Sequence, residues 1–558
     1  MNLYRPGLSR FSGVTFFFIL LNVIVLIPLP NMGGQGLKLP INLLSWTFIG
    51  LITFWVMLTS KSERINLPKG FYLIFLGAAF WSIPLVFTPH RAWRIDSSPH
   101  VMALWGLIFL WLMLSQIKLT RQQGRRWLAI IVISSFAQAG YGLLQAFHQL
   151  DSVFVGVRPY GSFQQVNVLS SFLATGASAL FWLMITADNK RRHLTIFSSL
   201  MLFTLAFVLY LAQSRAGMIG FVSAIMILTV TNKKSIRTCF VPLFVIFSGF
   251  IIAYLWQHNY FHFLGVAVPD GLDIVDKTGS NIQRAAILKN TLLMIIAHPL
   301  MGVGYGGFEK SFADMALLQG GPFISESLTH PHNELLYAWS EGGLLAILGI
   351  VIIIFAMITL LYKSSRYGKW AGIALLTPIA VHMNLEYPLY QSVFHSIIII
   401  FIFFIFTVNE GNEAKFNSSA QSLWRYVGAL YGCFLILFMV SGLITEIRMT
   451  KIEQLRLQPF IFSSNSLDSL PNTLSQRSRL DYDEHISLLL KYNITHNKAY
   501  LLDFMTWSDE YLNIHNDANV YASKIAISYA LNQHDKANEI CNRAVVLFPS
   551  HHFEQCKK

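Results

Sequence analysis

Two histidines, an amide and a carboxylate cluster at Thr329-His330-Pro331-His332-Asn333-Glu334, where the chain enters a strongly apolar stretch that runs to about Leu361. Polar and ionisable groups are costly at a membrane helix, so a cluster of them there marks a functional site. Asn333 is placed to cap a helix beginning near Glu334, which leaves His332 just outside the positive N-terminal end. Such an end favours neutral imidazole and attracts anions, so one place can hold both a base and a pyrophosphate. Glu341 shares a helical face with Glu334 and lies about 10 Å further along at 1.5 Å per residue. It is expected to be buried, and either paired with an inward arginine or protonated. The spacing of His330 and His332 is open to a metal, but neither an HExxH pattern nor a cysteine ligand accompanies it. No metal and no cofactor is expected.

The elements that must position this stretch are membrane spans. The chain has 558 residues, of which 54% are hydrophobic and only 12% charged, and its mean hydropathy is +0.51. A globular average is about 25% charged. The fold expected is an all-α polytopic membrane protein. Taking about 20 apolar residues per span gives about thirteen transmembrane helices, at roughly 11–29, 42–60, 70–88, 100–117, 127–147, 166–187, 194–212, 216–231, 239–257, 334–361, 370–385, 392–408 and 424–446. The first has a basic start (Arg5, Arg10) but no small-residue cleavage site, and reads as a retained helix.

A net charge of +13 invites nucleic acid as a partner, but the basic residues gather in alternate loops, as topology requires. Lys61, Arg64 and Lys69; Lys118, Arg121, Arg125 and Arg126; Lys190, Arg191 and Arg192; Lys233, Lys234 and Arg237; and Lys363, Arg366 and Lys369 mark the cytoplasmic side. No nucleic-acid partner is expected. The N-terminus is then inside and the tail outside. Residues 1–446 form the membrane domain, with a large external loop at 258–333, and residues 447–558 form an external helical domain.

On that topology every unusual polar cluster falls on the outer face: residues 158–167, Ser214-Arg215-Ala216-Gly217, the loop 258–333, and 382–389. Arg215 sits at a tight turn between spans, where it either snorkels to lipid phosphate or recognises a substrate phosphate through its planar fork. In the long loop, Ser280 or Asn281 can cap an amphipathic helix reaching Ile296 and ended by His298-Pro299. Arg284 on it is either solvated or specific. Glycines at 302, 304, 306 and 307 then supply a turn. In the tail, residues 521–531 and 535–548 read as one tetratricopeptide-type helix pair, with a further helix at 499–513. Its role is either to bind an acceptor protein or to cap the membrane domain. Cys541 and Cys556 both lie in this external part and are open to a disulfide in an oxidising compartment.

The ordered set of Arg215 in a Ser-Arg turn, Arg284, the turn from His298-Pro299 to Gly307, and His332-Asn333 followed by Gly343 resembles the bacterial O-antigen ligase and polymerase superfamily. The family pattern of His-Asn, nine residues, Gly, two residues and Gly is met, except that Ala346 stands at the last glycine. Residues 161–167, with Gln165 and Asn167, and Glu386-Tyr387-Pro388-Leu389 look like its protein-glycosylating branch, the PglL-type O-oligosaccharyltransferases. The resemblance covers roughly residues 10–450.

What the resemblance implies is transfer of a whole oligosaccharide from an undecaprenyl-diphosphate carrier to a Ser or Thr hydroxyl of a periplasmic protein, such as a type IV pilin, at the outer face of the bacterial inner membrane. His332 would act as general base, and Arg215 and Arg284 on the diphosphate, with Arg158 as helper. Gln165, Asn167, His330, Asn333, Glu386 and Tyr387 would bind sugar or acceptor. Partners are then the lipid-linked donor, the acceptor protein and membrane lipids. Two alternatives stay open: a sister enzyme that ligates or polymerises polysaccharide on lipid, and a transporter. A transporter would more naturally carry charges at the midplane and inverted repeats.

Overall fold

In lipid every backbone N–H and C=O must be satisfied within its own segment or by a neighbour, so uninterrupted apolar runs become helices. The structure is a computed structural model that describes residues 10–59, 64–147, 158–187, 192–232, 234, 236–261, 278–319, 327–364, 368–407, 412–415, 418–462 and 467–556. Among them, eight helices are long and apolar enough to cross a membrane: Pro40–Thr59, Arg91–Leu114, Arg121–Ala146, Val166–Ile185, Arg192–Leu211, Arg237–Gln257, Glu334–Lys363 and Leu423–Gln454. Shorter apolar helices, Arg10–Ile24, Phe71–Phe87, Arg215–Val230, Ala371–Met383 and Val393–Thr407, fall on the other expected spans. The protein is therefore a polytopic all-α membrane protein. Its one ribbon among the described residues pairs Arg64–Leu67 antiparallel with Asn412–Lys415. The helix expected from about 100 begins at Arg91 and passes through Pro99. The loop helix runs Thr278–Ala297, starting just ahead of the expected caps.

The chain divides into two compact units. The first comprises Met1–Tyr72, Gly106–Val275 and Phe355–Leu443. Its centre is Val166–Ile185, almost wholly buried among Arg121–Ala146, Arg192–Leu211, Arg215–Val230 and Ala371–Met383. Small residues let membrane helices approach this closely. A Cβ on Gly217 would come within 2.5 Å of Ser170 Cβ, and one on Gly220 within 2.7 Å of Pro378 Cα.

The second unit comprises Leu73–Trp105, Asp276–Ile354 and Ile444–Lys558. Here Thr278–Ala297 and Phe308–Gln319 share a core of Ile287, Met294, Phe308 and Phe312, with Tyr337 packed on it. The tail folds as successive helix pairs, Arg477–Thr495 with Ala499–Tyr511 and Ala518–Ala530 with His534–Leu547. These lie close to the expected 499–513, 521–531 and 535–548. Phe504, Val520, Ile525, Ala544 and Phe548 build their core, which Ala313 of Phe308–Gln319 completes. Cys541 and Cys556 are joined in a disulfide, with S–S 2.02 Å. At the other end of the tail, Arg479 Nε donates to Glu453 at 2.6 Å and Nη1 to the fully buried Glu446 at 3.3 Å.

Candidate active site

The cap expected at Asn333 forms: its Oδ1 accepts the Leu336 N–H at 3.0 Å, and the helix starts at Glu334. His332, half-buried just before that start, has a left-handed backbone with φ 58°. Its N–H donates to His330 Nδ1 at 2.9 Å. His330 is 3% exposed, its ring lies 4.4 Å from that of Tyr337, and its Nε2 stands 3.7 Å from Glu334 Oε1. The imidazole of His330 thus braces the turn from which His332 projects.

The helix Glu334–Lys363 is not continuous, as its apolar run led one to expect. It breaks at Gly343, where φ is 61° and ψ −154°. The orphaned backbone groups are taken up by the loop before it. Val303 N–H donates to Ser340 O at 2.9 Å, Gly304 N–H to Glu341 O at 2.9 Å, and Leu344 N–H to Leu300 O at 3.0 Å. Non-helical backbone at such a place survives only when protein groups satisfy it. The glycine-rich turn therefore serves as a splint. Glu341 is buried as expected. Of the two alternatives for it, the arginine pairing gives way to backbone amides: its Oε1 accepts the N–H groups of Gly306 at 3.0 Å and Phe308 at 3.1 Å.

Two further residues of this cluster, Asp96 and His100 on Arg91–Leu114, escaped the sequence reading. His100 lies within electrostatic reach of Asp96, Glu334 and His330. Their signal was a carboxylate and an imidazole one helical turn apart beside an apolar run; it was hidden by treating 89–99 as loop. Arg284 sits half-buried on Thr278–Ala297, within the same unit.

The first unit holds the remaining candidates. Ser214 Oγ caps Arg215–Val230 by accepting the Gly217 N–H at 3.2 Å, and donates to Asn167 Oδ1 at 2.7 Å. Arg215 is thus the first residue of its helix, exposed, beside Asn167 in the fold. Gln165 Oε1 accepts the Val168 N–H at 2.8 Å and caps Val166–Ile185. The preceding loop, on which Arg158 is half-buried, is pinned by Gln138 and Gln145, which the sequence reading also missed. Gln145 Oε1 accepts the N–H groups of Tyr160 at 3.1 Å and Gly161 at 2.8 Å, while Gln138 Nε2 donates to Ser162 Oγ at 2.6 Å.

Glu386 is buried, and its N–H donates to His382 O at 2.8 Å. Burial, and then the neighbouring Glu386 carboxylate, push the Tyr387 phenol above its ordinary value. It remains a neutral donor at physiological pH. Below this loop, His382 Nδ1 and Ser171 Oγ are hydrogen-bonded at 2.8 Å, joining the 382–389 cluster to the helix that carries Asn167.

Parts of the sequence are similar to known protein families. Residues 200–351 match the O-antigen ligase family. Residues 370–558 match the C-terminal part of the virulence factor membrane-bound polymerases, and residues 159–184 match the protein glycosylation ligases. A general O-oligosaccharyltransferase of Acinetobacter baylyi is 23% identical over 425 residues, covering 68% of this chain and 68% of that protein. The fold is that of a polytopic all-α membrane protein, and part of its sequence is similar to the O-antigen ligase class. Within that class, the match of residues 159–184 and the similarity to a general O-oligosaccharyltransferase support a glycosyltransferase of the PglL type.

Proposed function

We infer that the protein is a glycosyltransferase of protein O-glycosylation, moving a preassembled oligosaccharide from an undecaprenyl-diphosphate carrier onto Ser or Thr hydroxyls of periplasmic proteins. One observation carries the chemistry: an imidazole, His332, held by its neighbour in a fixed backbone conformation at the Asn333-capped mouth of an apolar helix. In the proposed step the acceptor oxygen attacks the anomeric carbon, the bond from that carbon to the diphosphate oxygen breaks, and the hydroxyl proton passes to His332. Imidazole suits this role because its pKa lies near 7. The diphosphate leaves as an anion, for which Arg215 and Arg284, with Arg158 as helper, supply permanent charge. Gln165 and Asn167 shape the 161–167 loop through their caps and hydrogen bonds. Glu386 and the neutral Tyr387 hydroxyl are the groups proposed to orient sugar or acceptor.

The compartment proposed is the periplasmic face of the bacterial inner membrane. The Cys541–Cys556 disulfide supports it, because such bonds persist in oxidising compartments. The tail, with its paired helices, is proposed to receive the acceptor, a type IV pilin being one such protein. The polymerase match over 370–558 favours one second reading, a sister enzyme extending polysaccharide on lipid. Deleting the protein separates them: glycan should vanish from periplasmic or pilus proteins, and loss confined to lipopolysaccharide would overturn the first reading.

A further inference from the structure

His330 is easily taken for a substrate ligand, since it stands two residues from the proposed base. Its surroundings point elsewhere. It is buried, with its ring on Tyr337. Its Nε2 is turned to Glu334 Oε1 at 3.7 Å, and a carboxylate there favours the tautomer with the proton on Nε2. That tautomer leaves a lone pair on Nδ1, the atom that accepts the His332 N–H. The result is a side-chain-to-backbone turn closed two residues on, as Asn and Asp commonly make. It coincides with the positive φ of His332, a conformation uncommon for any residue but glycine.

We propose that His330 is a positioning residue of the transfer reaction: its Nδ1 closes a turn onto the His332 backbone and fixes the geometry from which the His332 ring meets the acceptor. The Glu334 carboxylate faces the Nε2 edge at 3.7 Å, with Asp96 and His100 in the charged surroundings. The inference rests on the reading of His332 as the base under the proposed function.

The two ring nitrogens allow a sharp test, because asparagine places its amide oxygen at the reach of Nδ1, whereas glutamine places its terminal group at the reach of Nε2. Full-length His330→Asn, His330→Gln and His330→Phe variants in lipid are assayed for glycan transfer per mole of membrane-inserted protein, beside His332→Ala. His330→Asn should keep kcat within a few-fold of the unaltered protein. His330→Gln should lose roughly 10²-fold in kcat, as misplaced catalytic groups do, with KM unchanged, and His330→Phe likewise. If the Phe variant does not fold, the Asn and Gln pair decides alone. Glutamine rescuing as well as or better than asparagine, asparagine failing as badly as glutamine, or a rise in KM without loss of kcat would overturn the proposal. Full transfer by His332→Ala would instead overturn the reading of the base itself.

Discussion

Glu309 and His515 meet at 3.1 Å, joining the helix Phe308–Gln319 to the turn that precedes the last helix pair. The same carboxylate accepts the Asn516 N–H at 2.7 Å and the Ser327 hydroxyl. Nearby, Arg543 donates to Asp314 at 2.5 Å. Charge-assisted bonds to one buried carboxylate are the strong kind, so this clasp is where the tail is made to share a core with the loop helix.

The clasp should respond to acid. Burial pushes the Glu309 carboxyl up, but the hydrogen bond and charge of His515 and the bonds from Asn516 and Ser327 outweigh it, leaving the group below its ordinary 4.5. A depressed carboxyl stabilises above its unfolded value and loses that contribution as pH falls through the folded one. The gap in unfolding temperature between the unaltered protein and Glu309→Gln should therefore be full at pH 7 and close as pH drops below 4.5. A gap that widens in acid would contradict the assignment.

Replacing Arg479 by Ala should be among the costlier single changes in the tail. It strands Glu446, fully buried, and the mostly buried Glu453 without their cation. Breaking a buried pair from one side costs about 3–5 kcal/mol. Denaturant unfolding of the detergent-solubilised protein measures it, and a loss near zero would mean the network is better hydrated than its burial implies.

Gly343→Ala tests the break in Glu334–Lys363. The backbone there has φ 61°, and an added Cβ would come within 2.3 Å of Leu300 O. The left-handed conformation alone costs a side chain of order 1–3 kcal/mol, and the clash adds to it. Lower thermal stability together with reduced transfer is expected. An unchanged variant would show that the helix can run straight.

His332→Ala should lower glycan transfer by roughly 10²–10⁴-fold, the usual range for a lost general base, with the protein still present in the membrane fraction. Immunoblotting for protein level beside glycan staining of the acceptor reads both quantities, and full transfer would remove His332 from the chemistry.

Apolar run length made the spans legible, and local cap chemistry did the same for Asn333, since both signals reside in consecutive residues. Residues 541 and 556 were visible as a pair for the same reason of composition and side of the membrane. What stayed hidden depends on partners far along the chain. The break at Gly343 is stabilised by Leu300, Val303 and Gly304, and an unbroken apolar pattern carries no trace of them. The amide partners of Glu341 stayed hidden, and it read as either ion-paired or protonated, because amide donors have no side-chain signature. Gln138 and Gln145 sit inside a span whose composition reads as simply apolar, yet they pin the 158–165 loop. The left-handed turn at His332 needs the ring of His330 to be seen at all.

Gly302 and Gly343 guard the same gap from opposite sides. A Cβ on Gly302 would lie 2.3 Å from Glu341 O and 2.7 Å from Gly343 N, and one on Gly343 would lie 2.6 Å from Gly302 N. Neither position can drift independently in evolution, and the usual remedy of a compensating second change is closed, because both sites already hold the smallest residue. Homologues that give up one of these glycines should therefore have rebuilt the helix as well as the loop, and the two losses should appear together or not at all.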